Sequence, residues 1–266
     1  MANESPTIQV LQASIDPDDT SDFRVLVDNK FVKYIVIDPG VYALDDMCFG
    51  PSLISLLPPL PSGVWNKARV SQHLDTGEPY FSEFSRVQLP GITKIWHSNQ
   101  IDHLALREPR KLRSNVYEVT HPDFESPVIA KFARFEWEVP QLEVETTAYS
   151  WIEGHQIGPE FLGHLVEEGR VIGFLIARIT NFHHATIEDF PLCQSALSRL
   201  HHVGIKHGDV NKHNLLIHDE KATLIDFDLA SRPASENQLK AELHQLQNEL
   251  LDTSGRGGRV VESSPP

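Results

Sequence analysis

Short apolar runs split by polar turns begin near Phe23, where ordered structure is expected to start. The runs FRVLVD (23–28) and FVKYIVID (31–38) are rich in β-branched and aromatic residues, are separated by Asn29-Lys30 and end at Pro39-Gly40, which predicts a hairpin. Residues 1–22, with Pro17 and the run DPDDTSD, carry no such pattern and read as a flexible acidic arm. Between Gly50 and Gly63 the prolines at 51, 58, 59 and 61 stop a helix soon after Leu57, so this stretch reads as a Pro-rich linker and the best boundary between domains. From residue 86 the runs VQLPGITKIW, IDHLAL, NVYEVT and SPVIAKFARFEW predict successive strands of an antiparallel sheet. Leu142, Val144, Thr147, Ala148, Trp151 and Ile152 then recur at near-helical spacing until Gly154.

The second half repeats the alternation. GRVIGFLIARI (169–179) predicts a hairpin and a buried strand, and DFPLCQSALSRLHHVG a helix with Leu192, Ala196, Leu197 and Leu200 on one face and Gly204 at its end. A final helix, SENQLKAELHQLQNELLD, pairs Ser235 with Gln238 as a capping box and carries a stripe of Leu239, Leu243, Leu246 and Leu250. Residues 253–266 have the composition of a disordered tail. Strands, helix, strands, helix is an α+β layout, divided into the arm 1–22, an N-terminal extension 23–85, a main domain 86–252 and the tail.

Composition narrows the function. Of 266 residues, 23 are Lys or Arg and 37 Asp or Glu, a formal charge of −14 that disfavours nucleic acid as a partner. No apolar stretch is long enough for a membrane helix and the N-terminus lacks a signal-peptide pattern, so a soluble cytoplasmic protein is expected, with the nucleus left open. Two cysteines, Cys48 and Cys193, make neither a disulfide framework nor a zinc site, and no HExxH or GxSxG motif occurs.

Chemistry concentrates in HGDVNKHNLLIHDEKATLIDFDLA (207–230). Asp209 and Asn214 are five residues apart and Asp226 lies seventeen beyond Asp209. A hairpin turning at His218-Asp219-Glu220 brings Asn214 and Asp226 to one mouth, where a carboxylate and an amide oxygen suit Mg²⁺ with substrate phosphates. Asp209 is placed to orient or deprotonate an attacking hydroxyl.

With these residues in view, HGDVNKHN resembles the catalytic loop of the protein-kinase-like superfamily and IDFD its metal-binding triplet. Lys131 in VIAKF resembles the strand lysine that holds ATP phosphates, and Glu145 in LEVETTAYSWI the helix glutamate paired with it. The glycine of HGD and the last aspartate of DFD resemble atypical members: aminoglycoside- and choline-kinase-like, lipopolysaccharide-kinase-like and RIO-like proteins, and uncharacterised fungal kinase-like proteins. The resemblance implies a two-lobed kinase-like fold with an N-lobe over about 86–180 and a shortened C-lobe over about 181–252. It further implies Asp209 as catalytic base, Asn214 and Asp226 as Mg²⁺ ligands, Lys131 on ATP and Glu145 positioning Lys131, with His207 as scaffold under the metal loop.

The chain departs from the family pattern in three places. No glycine lies between Gly91 and Gly154, so the glycine-rich phosphate loop is missing; Arg110, Lys111 and Arg113 are the cations in its place. Gly208 replaces the arginine that reads a phosphorylated activation loop. About 24 residues separate Asp228 from the end of the last helix, with no APE-like motif. Two functions follow: an ATP- and Mg-dependent phosphotransferase acting on a hydroxyl of a small molecule or a dedicated protein, or a pseudokinase that binds nucleotide and engages a protein partner through residues 1–85 or the last helix.

Overall fold

The computed structural model describes residues 6–254. The chain divides into two compact units: one holds the residues up to Pro90 with Arg134–Trp137 and Glu167–Arg170, the other Gly91–Ala133, Glu138–Val166 and the chain from Val171.

The first unit is built on a five-stranded sheet. Strands β1 (Ile8–Ser14), β2 (Ser21–Val27) and β3 (Phe31–Ile37) are antiparallel neighbours, helices α1 (Leu44–Cys48) and α2 (Gly50–Leu56) cross over, β4 (Lys67–Gln72) pairs parallel to β3, and β5 (Pro79–Ser85) returns antiparallel. The β2–β3 turn sits one residue earlier than the composition predicts, because Asp28 and Asn29 adopt positive φ and Lys30 N–H donates to Val27 O. Phe23, Val25, Ile35 and Ile37 pack with Met47 and Leu53, while Leu26, Val32 and Tyr34 pack on the opposite side with Phe135. Both faces of the central strands are therefore buried, which explains their nearly unbroken apolar runs.

Two expectations about this region are overturned. Residues 8–14 are a strand, and the acidic run after them is a turn in which Asp16 Oδ1 accepts from the backbones of Asp18 (2.9 Å) and Asp19 (3.1 Å). The aspartates there fold the chain back instead of keeping it solvated. Residues 1–5 of the expected arm, and the tail from 255, lie outside the described residues. The Pro-rich stretch is no domain boundary: Pro51 opens α2, the later prolines follow its end, and the whole stretch is the crossover that parallel pairing of β3 with β4 requires.

The second unit runs β6 (Gln100–Asp102), β7 (Arg107–Arg113), β8 (Val116–Thr120), β9 (Val128–Phe132), α3 (Val139–Ile152), β10 (Phe161–Glu167), β11 (Arg170–Ala177), β12 (His183–His184), α4 (Phe190–His202), β13 (Leu215–His218), β14 (Lys221–Leu224) and α5 (Glu236–Leu251), except that the last residue of β10, Glu167, and the first of β11, Arg170, count with the first unit. Six strands form a sheet in the order β6-β10-β11-β9-β8-β7, and β12-β13-β14 a small one. Its core gathers Leu142, Tyr149, Phe174, Leu197, Phe227 and Leu246. Residues 87–96, expected as a strand, are irregular because Pro90-Gly91 interrupts pairing; Ile92 and Trp96 are anchored singly, Trp96 Nε1 donating to Thr146 O at 3.0 Å. The expected antiparallel sheet also contains one parallel pair, β6 with β10. The Ser235–Gln238 capping box forms, and the stripe of α5 is turned inward, Leu246 and Leu250 being buried in this unit's core.

Candidate functional site

All five candidate residues belong to the second unit. Lys131 sits in β9, flanked by β8 and β11, with its side chain buried. Its ammonium bridges Glu145 Oε2 of α3 at 2.6 Å and Asp226 Oδ1, two residues beyond β14, at 2.7 Å. Burial disfavours the lysine's charge, but Glu145 and Asp226 outweigh it and hold the ammonium above its ordinary range. Burial raises the Glu145 carboxyl to about 7 despite Lys131, with the second negative charge of Asp226 adding to the rise. Burial also works against ionised Asp226, yet Lys131 and Arg113 pull that carboxyl below its ordinary value. Arg113 Nη1 lies 3.5 Å from Asp226 Oδ2.

The loop bearing Asp209 is organised by amides. Asn214 Nδ2 donates to Asp209 Oδ2 at 3.0 Å and to its backbone O at 2.9 Å, and Asn211 Nδ2 donates to the same Oδ2 at 3.0 Å. Asn211 Oδ1 in turn caps the 3₁₀ turn Lys212–Asn214 by accepting from His213 N. Ile225 N–H donates to Asn214 O at 3.0 Å, so the Asp209 loop and the Asp226 segment are joined by one backbone bond. Asp226 takes φ of +68°, a conformation rare for a residue with a side chain and typical of functional turns. His207 is scaffold: it lies against Phe227 (centroids 5.1 Å apart), its Nε2 bonds Ile225 O at 3.0 Å, and burial keeps it neutral.

A cavity of about 490 Å³ is lined by Lys131, Glu145, Tyr149, Asp226 and Asp228, with Arg113 on its wall. Lys131, Glu145 and Asp226 are thus brought together on it, whereas Asp209 and Asn214 are not among its lining residues, and their loop is tied to the neighbouring segment by the bond from Ile225 N–H to Asn214 O. Where the glycine-rich loop is missing, the β7–β8 hairpin presents Arg113, while Arg110 and Arg178 are both engaged by Glu118.

Two further residues take roles that the sequence reading did not give them. Glu242, inside α5, accepts from His207 N (3.1 Å), Gly208 N (2.7 Å) and His201 Nε2 (2.7 Å), fixing the backbone on which Asp209 is carried. Its signal was a carboxylate four residues before Leu246 on the helix's buried face. Gly208 was read for the arginine it lacks, but it takes φ of +91° and a Cβ there would lie 2.3 Å from Leu229 O, so no side chain fits.

Residues 192–258 match the lipopolysaccharide kinase (Kdo/WaaP) family. That stretch carries Asp209, Asn214, Asp226 and Glu242; Lys131 and Glu145 lie outside it. A 67-residue stretch is also 36% identical to a probable bifunctional tRNA threonylcarbamoyladenosine biosynthesis protein of Methanoculleus marisnigri, covering 25% of this chain and 13% of that relative. Among the described residues no helix is long and apolar enough to cross a membrane.

Proposed function

We propose that the chain is an ATP- and Mg²⁺-dependent phosphotransferase that moves the γ-phosphate of ATP to a hydroxyl of a small molecule or a dedicated protein. The observation that carries this is Lys131 held between Glu145 and Asp226 in the wall of a cavity large enough for a ligand. Lys131 binds the nucleotide phosphates, with Glu145 holding the ammonium in place. Asp209, oriented by Asn211 and Asn214, aligns the acceptor hydroxyl and takes its proton as the oxygen attacks. The donor set fits magnesium: Asp226 is kept ionised and Asn214 offers an amide oxygen. Bound there, Mg²⁺ neutralises phosphate charge.

A second reading, a nucleotide-binding pseudokinase, is favoured by the absence of glycine between Gly91 and Gly154, which removes close backbone approach to phosphates. Thermal unfolding with ATP, MgCl₂ and both, followed by γ-phosphate transfer for wild type and Asp209→Asn, separates the two. A Kd near a tenth of the ligand concentration stabilises by roughly 1.4 kcal/mol, a Tm shift of about 2–4 °C. No shift at millimolar Mg-ATP sinks the nucleotide site; a shift with no transfer above that of Asp209→Asn leaves the pseudokinase.

A further inference from the structure

Three arginines stand along the cavity wall, and two of them have a partner that takes no part in the proposed chemistry: Arg110 and Arg178 both bridge Glu118, at 3.0 and 2.5 Å. Arg113 is different. It ends β7 opposite Val116 of β8, which stands opposite Lys131 of β9, so the arginine and the lysine share one cross-strand row. Directly opposed residues of paired strands face the same way. Both cations accordingly reach one carboxylate, Lys131 holding Asp226 Oδ1 at 2.7 Å and Arg113 Nη1 lying 3.5 Å from Oδ2. The two contacts are unequal. Lys131 is buried and gripped by Glu145 as well, so parting it from both would strand a charge. Arg113 keeps 43% of its side chain exposed and stands outside the range of about 2.7–2.9 Å of a tight charge-assisted bond, and a pair so solvated costs little to break. A guanidinium with one loose anchor keeps most of its donors for another anion.

Asp226 has a cation at each oxygen. A metal ion drawn to that carboxylate repels both, and Arg113 is the one able to move. Phosphate entering the same cavity meets no glycine-rich backbone, since no glycine lies between Gly91 and Gly154, whereas a guanidinium fork matches phosphate oxygens two at a time. We propose that Arg113 is a phosphate-binding residue of this cavity, passing from Asp226 to the phosphates of a bound nucleoside triphosphate. The row through Arg113, Val116 and Lys131 then presents two cations to the polyphosphate from one face of the sheet. A side chain at the hairpin end supplies the donors that backbone N–H groups supply in a glycine-rich loop. This inference deepens the nucleotide-site reading and rests on it.

Calorimetric titration of the full chain with Mg-ATP and with adenosine tests it, for wild type, Arg113→Met and Arg113→Lys. Arg113→Met weakens Mg-ATP binding by about 10–100-fold and leaves adenosine, which has no phosphate, bound as before. Arg113→Lys keeps the charge without the fork and loses less. Mg-ATP bound by Arg113→Met as well as by wild type makes Arg113 a solvated surface cation and overturns the proposal. Tighter binding overturns it too, because Arg113 is then only a lock on Asp226, and so does an equal loss for adenosine, which marks a disturbed cavity. Without nucleotide, Arg113→Met, whose Asp226 Oδ2 is relieved of its cation, gains more Tm from MgCl₂ than wild type does; equal gains overturn the exchange. A wild type that binds neither Mg-ATP nor adenosine fails the nucleotide reading and takes this inference with it, an outcome distinct from wild-type binding that Arg113→Met leaves intact.

Discussion

Each unit buries a lysine or arginine among carboxylates, Arg24 in the first and Lys131 in the second, and the two clusters differ in completeness. In the first unit Arg24, 1% exposed, is paired with Glu167 Oε2 and Gln12, while Glu167 Oε1 accepts from Tyr34 Oη and Arg170 Nη2, both at 2.7 Å. Both carboxylate oxygens are engaged there. In the second unit Lys131 faces two carboxylates, one of which keeps an unpartnered oxygen, and the group opens onto a cavity. A saturated cluster is architecture, since it has no valence left for a ligand. An unsaturated one beside a cavity keeps charge in reserve for a molecule that is not part of the chain.

The largest effect expected from this contrast is in the saturated cluster. Glu167→Ala strands the buried Arg24 guanidinium, and removing one partner of a buried pair costs about 3–5 kcal/mol. Urea unfolding measures it, and a loss below about 1 kcal/mol would make the cluster no more than a surface-like pair and dissolve the contrast. Next comes Glu242→Gln, whose amide cannot accept at both oxygens from the backbones of His207 and Gly208. Hydrogen bonds to a charged group contribute about 1.5–3 kcal/mol each, so stability falls by that order, and under the proposed function phosphate transfer falls with it while Mg-ATP affinity is retained. Transfer undiminished by Glu242→Gln would mean that the Asp209 loop holds its shape without α5.

How much of this was legible in the sequence follows from the range of each interaction. The hairpin at 215–224 and the α5 capping box were readable because their determinants lie within a few residues of each other: Asp219 and Glu220 take the positive φ of the turn, and Ser235 meets Gln238 three positions on. Strand β7, REPRKLR, was not, since it lies at the edge of its sheet where charged residues protect the rim and erase the apolar alternation. The acidic run at 16–20 misled for the opposite reason: aspartate both solvates a chain and folds it into an Asx turn, and only the β1–β2 pairing decides which. At the site, Lys131, Glu145 and Asp226 were named through ordered motifs, and the structure places them in contact. Glu242 was not named, because its meaning depends on which backbone groups stand opposite, and no spacing along the chain records that.

The smallest effect concerns the unsaturated cluster and depends on sign rather than size. Burial, aided by Asp226, raises the Glu145 carboxyl from 4.5 to about 7, so between those values the folded chain holds a proton that the unfolded chain has released. Stability from this group is complete below its unfolded value and is lost as pH rises through 7. Asp226 works in a separate window: its carboxyl is lowered below 3.8, so its contribution is present above that value and disappears as acid is added. Glu145→Gln cannot titrate, and its Tm should therefore gain on that of wild type as pH is raised from 4.5 to 8, with other groups largely cancelling in the difference. A difference that stays level across that range would mean Glu145 is as well compensated as Glu167, and the unsaturated cluster would then be architecture too.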